Sequence, residues 1–152
     1  MKITHNISVV GSSEYLDTTD FQIYAAKNPF WSDCKTNELI SNVEGRNAIA
    51  VNIVDAESPT YFKIGLFKKI VRLISDKIQE GESVTIVCNK GVSRSASIAL
   101  LYLAATRQIN RDNFKSAKED FLKFYPKYEP GRGISAFLNH YWGDFFPKNN
   151  KS

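Results

Sequence analysis

The chain has 152 residues, a formal net charge of +4 and 43% hydrophobic content that includes ten Phe and seven Tyr. That is enough apolar material for one ordinary core and too little length for two. The longest apolar run, Ile98 to Ala105, is far shorter than a bilayer span, and Met1-Lys2-Ile3-Thr4-His5-Asn6 holds no long apolar stretch, so neither secretion nor a membrane anchor is expected.

Taken in chain order, Ile7 to Val10 and Phe21 to Ala26 read as strands separated by the turn-like Gly11-Ser12-Ser13. Asn28 to Asp33 reads as an irregular loop, and Lys27 beside it reads as a solvated surface lysine. The apolar run Ile49 to Val54 predicts another strand, closed by Asp55. Ser58 and Pro59 then fit the N-cap and first residue of a long helix reaching Glu80. Its apolar residues Leu66, Phe67, Ile70, Val71, Leu73, Ile74 and Ile78 fall on one stripe, and Gly81 is a natural stop.

Ser83 to Val87 is a β-branched run with the signature of a buried strand, and Ser95 to Ala104 predicts a helix. A further helix is expected to be capped by Asn110 or Asp112 and to end near Phe124, before Pro126. Ile134 to Phe146 predicts the last one, with Gly131-Arg132-Gly133 at its start, and residues 146–152 are read as a frayed tail. The alternation predicts one α/β domain over residues 1–152, with a central, mostly parallel sheet flanked by helices.

The chemistry concentrates between the fourth of these strands and the helix after it, where Cys88 and Arg94 stand six positions apart. A free thiol is mostly protonated at neutral pH, but a helix N-terminus, a nearby guanidinium and a ring of amide donors all favour the thiolate. Cys88 is therefore the candidate nucleophile. Arg94 can hold two oxygens of a phosphoryl group in a planar fork. Asn89, Lys90, Gly91, Val92, Ser93 and Arg94 supply the candidate phosphate cradle, with Gly91 allowing close backbone approach. Ser95 can donate its hydroxyl to the sulfur when that sulfur must leave. A lone cysteine after a strand is more commonly a small buried hydrophobe. Here strand, glycine-bearing loop, Ser-Arg-Ser and helix occur together, which points to a phosphate site.

Cys-Asn-Lys-Gly-Val-Ser-Arg-Ser resembles the Cys-x5-Arg-Ser/Thr loop of cysteine-dependent protein tyrosine phosphatases, and its Gly-x-Ser-Arg-Ser form is similar to the compact dual-specificity type, including small bacterial and viral members. The resemblance extends over roughly residues 48 to 142, and Ala25 to Phe30 also looks like a segment of those relatives. It implies a phosphocysteine intermediate on a dual-specificity phosphatase-like fold. It also implies a leaving-group acid. Asp55 fits that role, 33 positions before Cys88 on a loop at the carboxyl end of a strand. The bland alternative is that Asp55 opens a turn, and Glu57 is the substitute acid. One departure is visible: the family usually has His before the cysteine, a residue that orders the loop, and this chain has Val87.

The resemblance implies a phosphorylated protein or peptide as substrate, carrying phosphotyrosine and extending to phosphoserine and phosphothreonine. The alternatives are a catalytically weak pseudophosphatase that binds phosphorylated partners, or a phosphoinositide or RNA 5′-phosphatase. No cofactor or metal is expected, because His5 and His140 belong to no metal-ligand spacing, and Gly131-Arg132-Gly133 lacks the third glycine of a dinucleotide fingerprint. Without a block of like charge or an RNA-recognition motif, nucleic acid is not an expected partner. Two isolated cysteines, Cys34 and Cys88, suit a reducing compartment, so the expectation is a cytoplasmic monomer with Cys34 a spectator.

Overall fold

The computed structural model describes residues 1–11, 20–25, 40–42, 47–51, 53, 62–88 and 90–147, with backbone alone at 40–42. Among these residues six strands form one sheet: β1 (Lys2–Thr4), β2 (Ile7–Gly11), β3 (Phe21–Tyr24), β4 (Ile40–Asn42), β5 (Ala48–Val51) and β6 (Val84–Cys88). Their order is β1-β2-β6-β3-β5-β4. The four inner strands run parallel and each edge strand is antiparallel to its neighbour. The sheet is thus mostly parallel, as the alternation predicts. The carboxyl ends of β2, β6, β3 and β5 share one edge, the edge where open α/β sheets bind ligands.

The inner strands are apolar because both of their faces are covered. Side chains alternate across a strand, and the alternation sorts them into two clusters. Ile7, Val9, Phe21, Ile23, Ile49, Val51, Val84, Ile86 and Cys88 join the main core with the helices, whereas Tyr24, Ala48, Ala50 and Val87 form a small cluster on the opposite face.

Helix α1 (Ile64–Gln79) buries Leu66, Phe67, Ile70 and Ile74 at i, i+4 spacing. It stops at Gly81, whose φ of 90° is easy only for glycine, and Glu82 N–H closes back on the Lys77 carbonyl at 3.0 Å. Its start corrects the sequence reading. Ser58 and Pro59 lie outside the described residues, but the N-cap is Lys63, in extended conformation and with no side-chain cap bond. Phe62, just before it, buries its ring against Phe67 and Phe137, at centroid distances of 6.3 and 5.6 Å.

Helix α2 (Arg94–Ala105) is buried along its length from Arg94 to Ala104, with α1 and α3 packed against it. Helix α3 (Phe114–Phe124) is capped by Asn113, whose side chain accepts from Ser116 N–H at 2.8 Å, and not by Asn110 or Asp112. Asn110 is otherwise engaged, because its side chain accepts from Asp112 N–H at 2.8 Å in a local turn. Helix α4 (Arg132–Phe145) starts after Gly131 and is pinned at its far end by Trp142, whose indole N–H donates to the Arg111 carbonyl at 2.8 Å. None of the helices among the described residues is long and apolar enough to cross a membrane.

Candidate functional site

Cys88 is the last residue of the central strand β6, and α2 begins at Arg94. The intervening loop sits at the shared carboxyl edge of the sheet. The thiol is 1% exposed and lies at the base of the loop. Gly91 N–H donates to its Sγ at 3.2 Å, and Ser95 Oγ stands 3.1 Å from the same sulfur. A sulfur carrying negative charge is acceptor only, so in that state the Ser95 hydroxyl donates and the sulfur has two donors. The N-terminal end of α2 adds its positive field.

Arg94 opens α2 and is only 5% exposed. Its Nη1 donates to the Ile53 carbonyl at 3.0 Å, which ties the helix start to the segment that leaves β5. Its Nε is buried with no hydrogen-bond partner among the described residues. Leaving such a donor unmet costs about 1–3 kcal/mol, more for a charged group. An anion with two oxygens in the guanidinium plane would satisfy it.

Gly91 does more than permit approach to a ligand. Its φ is 75°, and a Cβ there would stand 2.6 Å from Gly11 N and 2.8 Å from the Val10 carbonyl carbon. The loop therefore folds back onto the end of β2, where Gly11 pairs in register with Cys88.

The outside of the loop is held by residues that follow α3. Tyr125 hydroxyl donates to the Gly91 carbonyl at 2.6 Å, Glu129 N–H to the Val92 carbonyl at 2.8 Å, and Gly131 N–H to Ser93 Oγ at 2.9 Å. One turn into α2, Ser97 hydroxyl and Tyr128 hydroxyl share a buried 2.8 Å bond. Burial pushes the Tyr128 phenol well above its ordinary range, with the Ser97 bond acting in the opposite sense. Lys90 is exposed at the loop's rim.

Val87 is fully buried and faces away from Cys88, as neighbours on a strand must. It packs in the small cluster with Tyr24, Ala48 and Ala50, and the Tyr24 hydroxyl is committed to the Gln22 side chain.

Of the residues singled out in the sequence, Gly91 and Ser95 meet the Cys88 sulfur, while Arg94 at the start of α2 bonds the Ile53 carbonyl and Ser93 bonds Gly131. Lys90 and Val92 lie on the same loop. Asp55, Glu57, Asn89, Lys27 and Cys34 lie outside the described residues. Sequence reasoning passed over Tyr125, Gly131, Gly11 and the carbonyl of Ile53. The available signals were the Tyr125-Pro126 pair after α3 and the glycines flanking Arg132, each read only as helix punctuation.

A family model for the dual specificity phosphatase catalytic domain matches residues 4–123. "Putative tyrosine phosphatase 123R" of Invertebrate iridescent virus 6 is 29% identical over 87 residues, or 57% of this chain. The match spans only 60% of the viral protein's length. Among solved structures, the human tyrosine phosphatase-like serine/threonine/tyrosine-interacting protein superposes with a TM-score of 0.68 at 17% identity, covering 95% of each chain. DUSP15 gives 0.67 at 14% identity over 100% of this chain and 97% of its own. A leucine rich repeat and phosphatase domain containing protein from Entamoeba histolytica gives 0.66 at 16% identity, over 97% and 94%. At such identities the superpositions speak to the fold.

Proposed function

We propose that this chain, which belongs to the dual specificity phosphatase family, is a cofactor-independent phosphomonoester hydrolase acting on phosphorylated proteins or peptides. The observation that carries the reading is the sulfur of Cys88 met by Gly91 N–H and Ser95 Oγ at one end of a short loop whose other end, at the start of α2, is a buried arginine with an unmet Nε. A pure packing cysteine has no use for two polar neighbours and a buried arginine.

In the proposed reaction the Cys88 thiolate attacks phosphorus, an S–P bond forms and the bond to the leaving oxygen breaks. Asp55 gives its proton to that oxygen, so the product leaves as an alcohol or phenol. Arg94 and the loop amides hold the equatorial oxygens as charge builds on them. Water then attacks the phosphocysteine, Asp55 takes the water's proton, and the S–P bond breaks to release inorganic phosphate. Ser95, 3.1 Å from the sulfur, donates to the departing thiolate. The bond from Arg94 to Ile53, two residues before Asp55, supports bringing that carboxyl to the same edge.

The test is a phosphate-release panel of phosphotyrosyl and phosphothreonyl peptides, a phosphoinositide and a triphosphorylated RNA, run beside Cys88→Ser. Release from the peptides that vanishes in Cys88→Ser is the expected result. A wild-type protein that hydrolyses no phosphopeptide would refute the assignment, and release from the lipid or the RNA alone would move the substrate class.

A further inference from the structure

We propose that the segment from Tyr125 to Gly131 is an outer clamp that aims the amide cradle of the loop, and that Tyr125 is a positioning residue for the bound phosphate. The proposal rests on reading residues 88–94 as a phosphate site.

In a planar trans peptide the C=O and the N–H of one unit point in opposite directions. The Gly91 carbonyl accepts from Tyr125 hydroxyl at 2.6 Å, so the Val92 N–H of the same peptide is turned away from Tyr125. The Val92 carbonyl accepts from Glu129 N–H at 2.8 Å, so Ser93 N–H is turned away from that wall in the same manner. Ser93 itself is fixed on two sides, since its carbonyl accepts from Ser97 N–H at 2.8 Å and its Oγ from Gly131 N–H at 2.9 Å. Consecutive carbonyls drawn to one side leave consecutive amides on the other, which is how a loop makes an anion-binding nest.

The clamp is needed because of Gly91. Close packing on Gly11 at φ 75° demands glycine at this position. Glycine is also the residue whose flanking peptides turn over with least steric resistance. A turned Gly91–Val92 peptide would present a carbonyl oxygen to phosphate where an N–H belongs, exchanging attraction for repulsion. The Tyr125 hydroxyl holds the peptide in one orientation. Its own position is fixed, since the side chain is 1% exposed and its ring packs on Phe121 at a centroid distance of 6.2 Å. The contact is therefore a rigid donor at the end of a rigid ring.

The experiment titrates inorganic phosphate calorimetrically into wild type, Tyr125→Phe and Trp142→Phe, and follows each protein's thermal midpoint and its kcat and KM on p-nitrophenyl phosphate. Trp142→Phe deletes a hydrogen bond of 2.8 Å whose acceptor is Arg111 and not a loop residue, so it controls for stability alone. Both variants are expected to melt earlier. Only Tyr125→Phe is expected to weaken phosphate binding, by about tenfold or more, with a fall in kcat. Equal phosphate affinity in wild type and Tyr125→Phe would overturn the clamp and leave the phosphate site standing. A wild type that takes up no phosphate would overturn the site reading, and the clamp with it. Should Tyr125→Phe not fold, amide NMR of the wild type decides. The Val92 and Ser93 N–H signals are expected to shift on adding phosphate, while those of Glu129 and Gly131, already bonded to the loop, move least. Unmoved Val92 and Ser93 signals in phosphate-saturated protein would show that these amides do not face the anion.

Discussion

The same chemical change, glycine to alanine, is expected to have opposite effects at two places in this chain. At Gly91 the new methyl group meets two backbone atoms of β2 at 2.6 and 2.8 Å, and φ is 75°. The left-handed conformation costs a residue with a Cβ about 1–2 kcal/mol. Forcing a carbon into packed backbone costs about 1–3 kcal/mol more, because Gly11 is held in the ladder beside Cys88 and cannot give way like a flexible side chain. The sum, about 2–5 kcal/mol, is a large share of a typical stability of about 5–15 kcal/mol. For a domain of this size it lowers the thermal midpoint by about 4–20 °C. At Gly143, inside α4, a Cβ meets nothing within 4 Å and helix propensity favours alanine by about 0.5–1 kcal/mol, so Gly143→Ala should melt higher. Differential scanning calorimetry of the two variants beside wild type reads both signs at once, and phosphate titration reads whether the loop of Gly91→Ala still forms. An unchanged midpoint in Gly91→Ala with phosphate binding intact would show that the loop does not lie on β2 as described.

Arg94→Lys should lower kcat/KM by about 10²-fold or more, since a point charge cannot reproduce the fork or its bond to the Ile53 carbonyl; a loss below about tenfold would remove Arg94 from the clamp on phosphate. Asp55→Asn should cut hydrolysis of a phosphoserine peptide by about 10²–10⁴-fold and that of p-nitrophenyl phosphate much less, and equal losses on both would point to another acid, with Glu57→Gln the next variant to assay. Val87→His should destabilise the fold by about 2–6 kcal/mol in urea titration, from overpacking beside Tyr24 and a ring N–H without a partner; a variant as stable as wild type would contradict that account. Tyr128 has its phenol raised by burial, so the folded state keeps a proton that the unfolded state releases. That contribution is complete below pH 10 and is lost as pH climbs above it, and a urea midpoint flat from pH 9 to 12 would contradict it.

What could be read from the sequence was what is local in it. Strand β6, the loop and α2 follow one another within about one heptad of Cys88, so the spacing of Cys88, Gly91, Arg94 and Ser95 already carries their geometry. The sheet was legible for the same reason, through runs such as Ala48 to Val51 and Val84 to Val87, while the short edge strands β1 and β4 have too few residues to show a period. The contacts that hold the loop from outside are remote in the chain. Tyr125 reaches back 34 positions, Gly131 38 and Arg94 41, and a single sequence has no period or spacing that records such pairs. The start of α1 is another case, since Phe62 beside it packs on the distant Phe137, whereas the start of α3 moved for a local reason, the Asn110 side chain being taken up by Asp112 N–H.

The substitution at Val87 shows where local reading needs the fold to be weighed. Its side chain points to the face opposite the sulfur, as strand alternation requires, so any residue at this position acts on Cys88 through the backbone and not by contact. That backbone is already fixed without a histidine: the Val87 carbonyl accepts from Ala25 N–H at 2.7 Å, and its neighbours in the ladder are Val10 and Tyr24. The two groups that do touch the sulfur, Gly91 N–H and Ser95 hydroxyl, belong to the loop and to α2. What orders them is the contact of Gly91 with Gly11 on one side and with Tyr125 on the other. The ladder and the segment after α3 supply the contacts that hold the loop around position 87 in this chain.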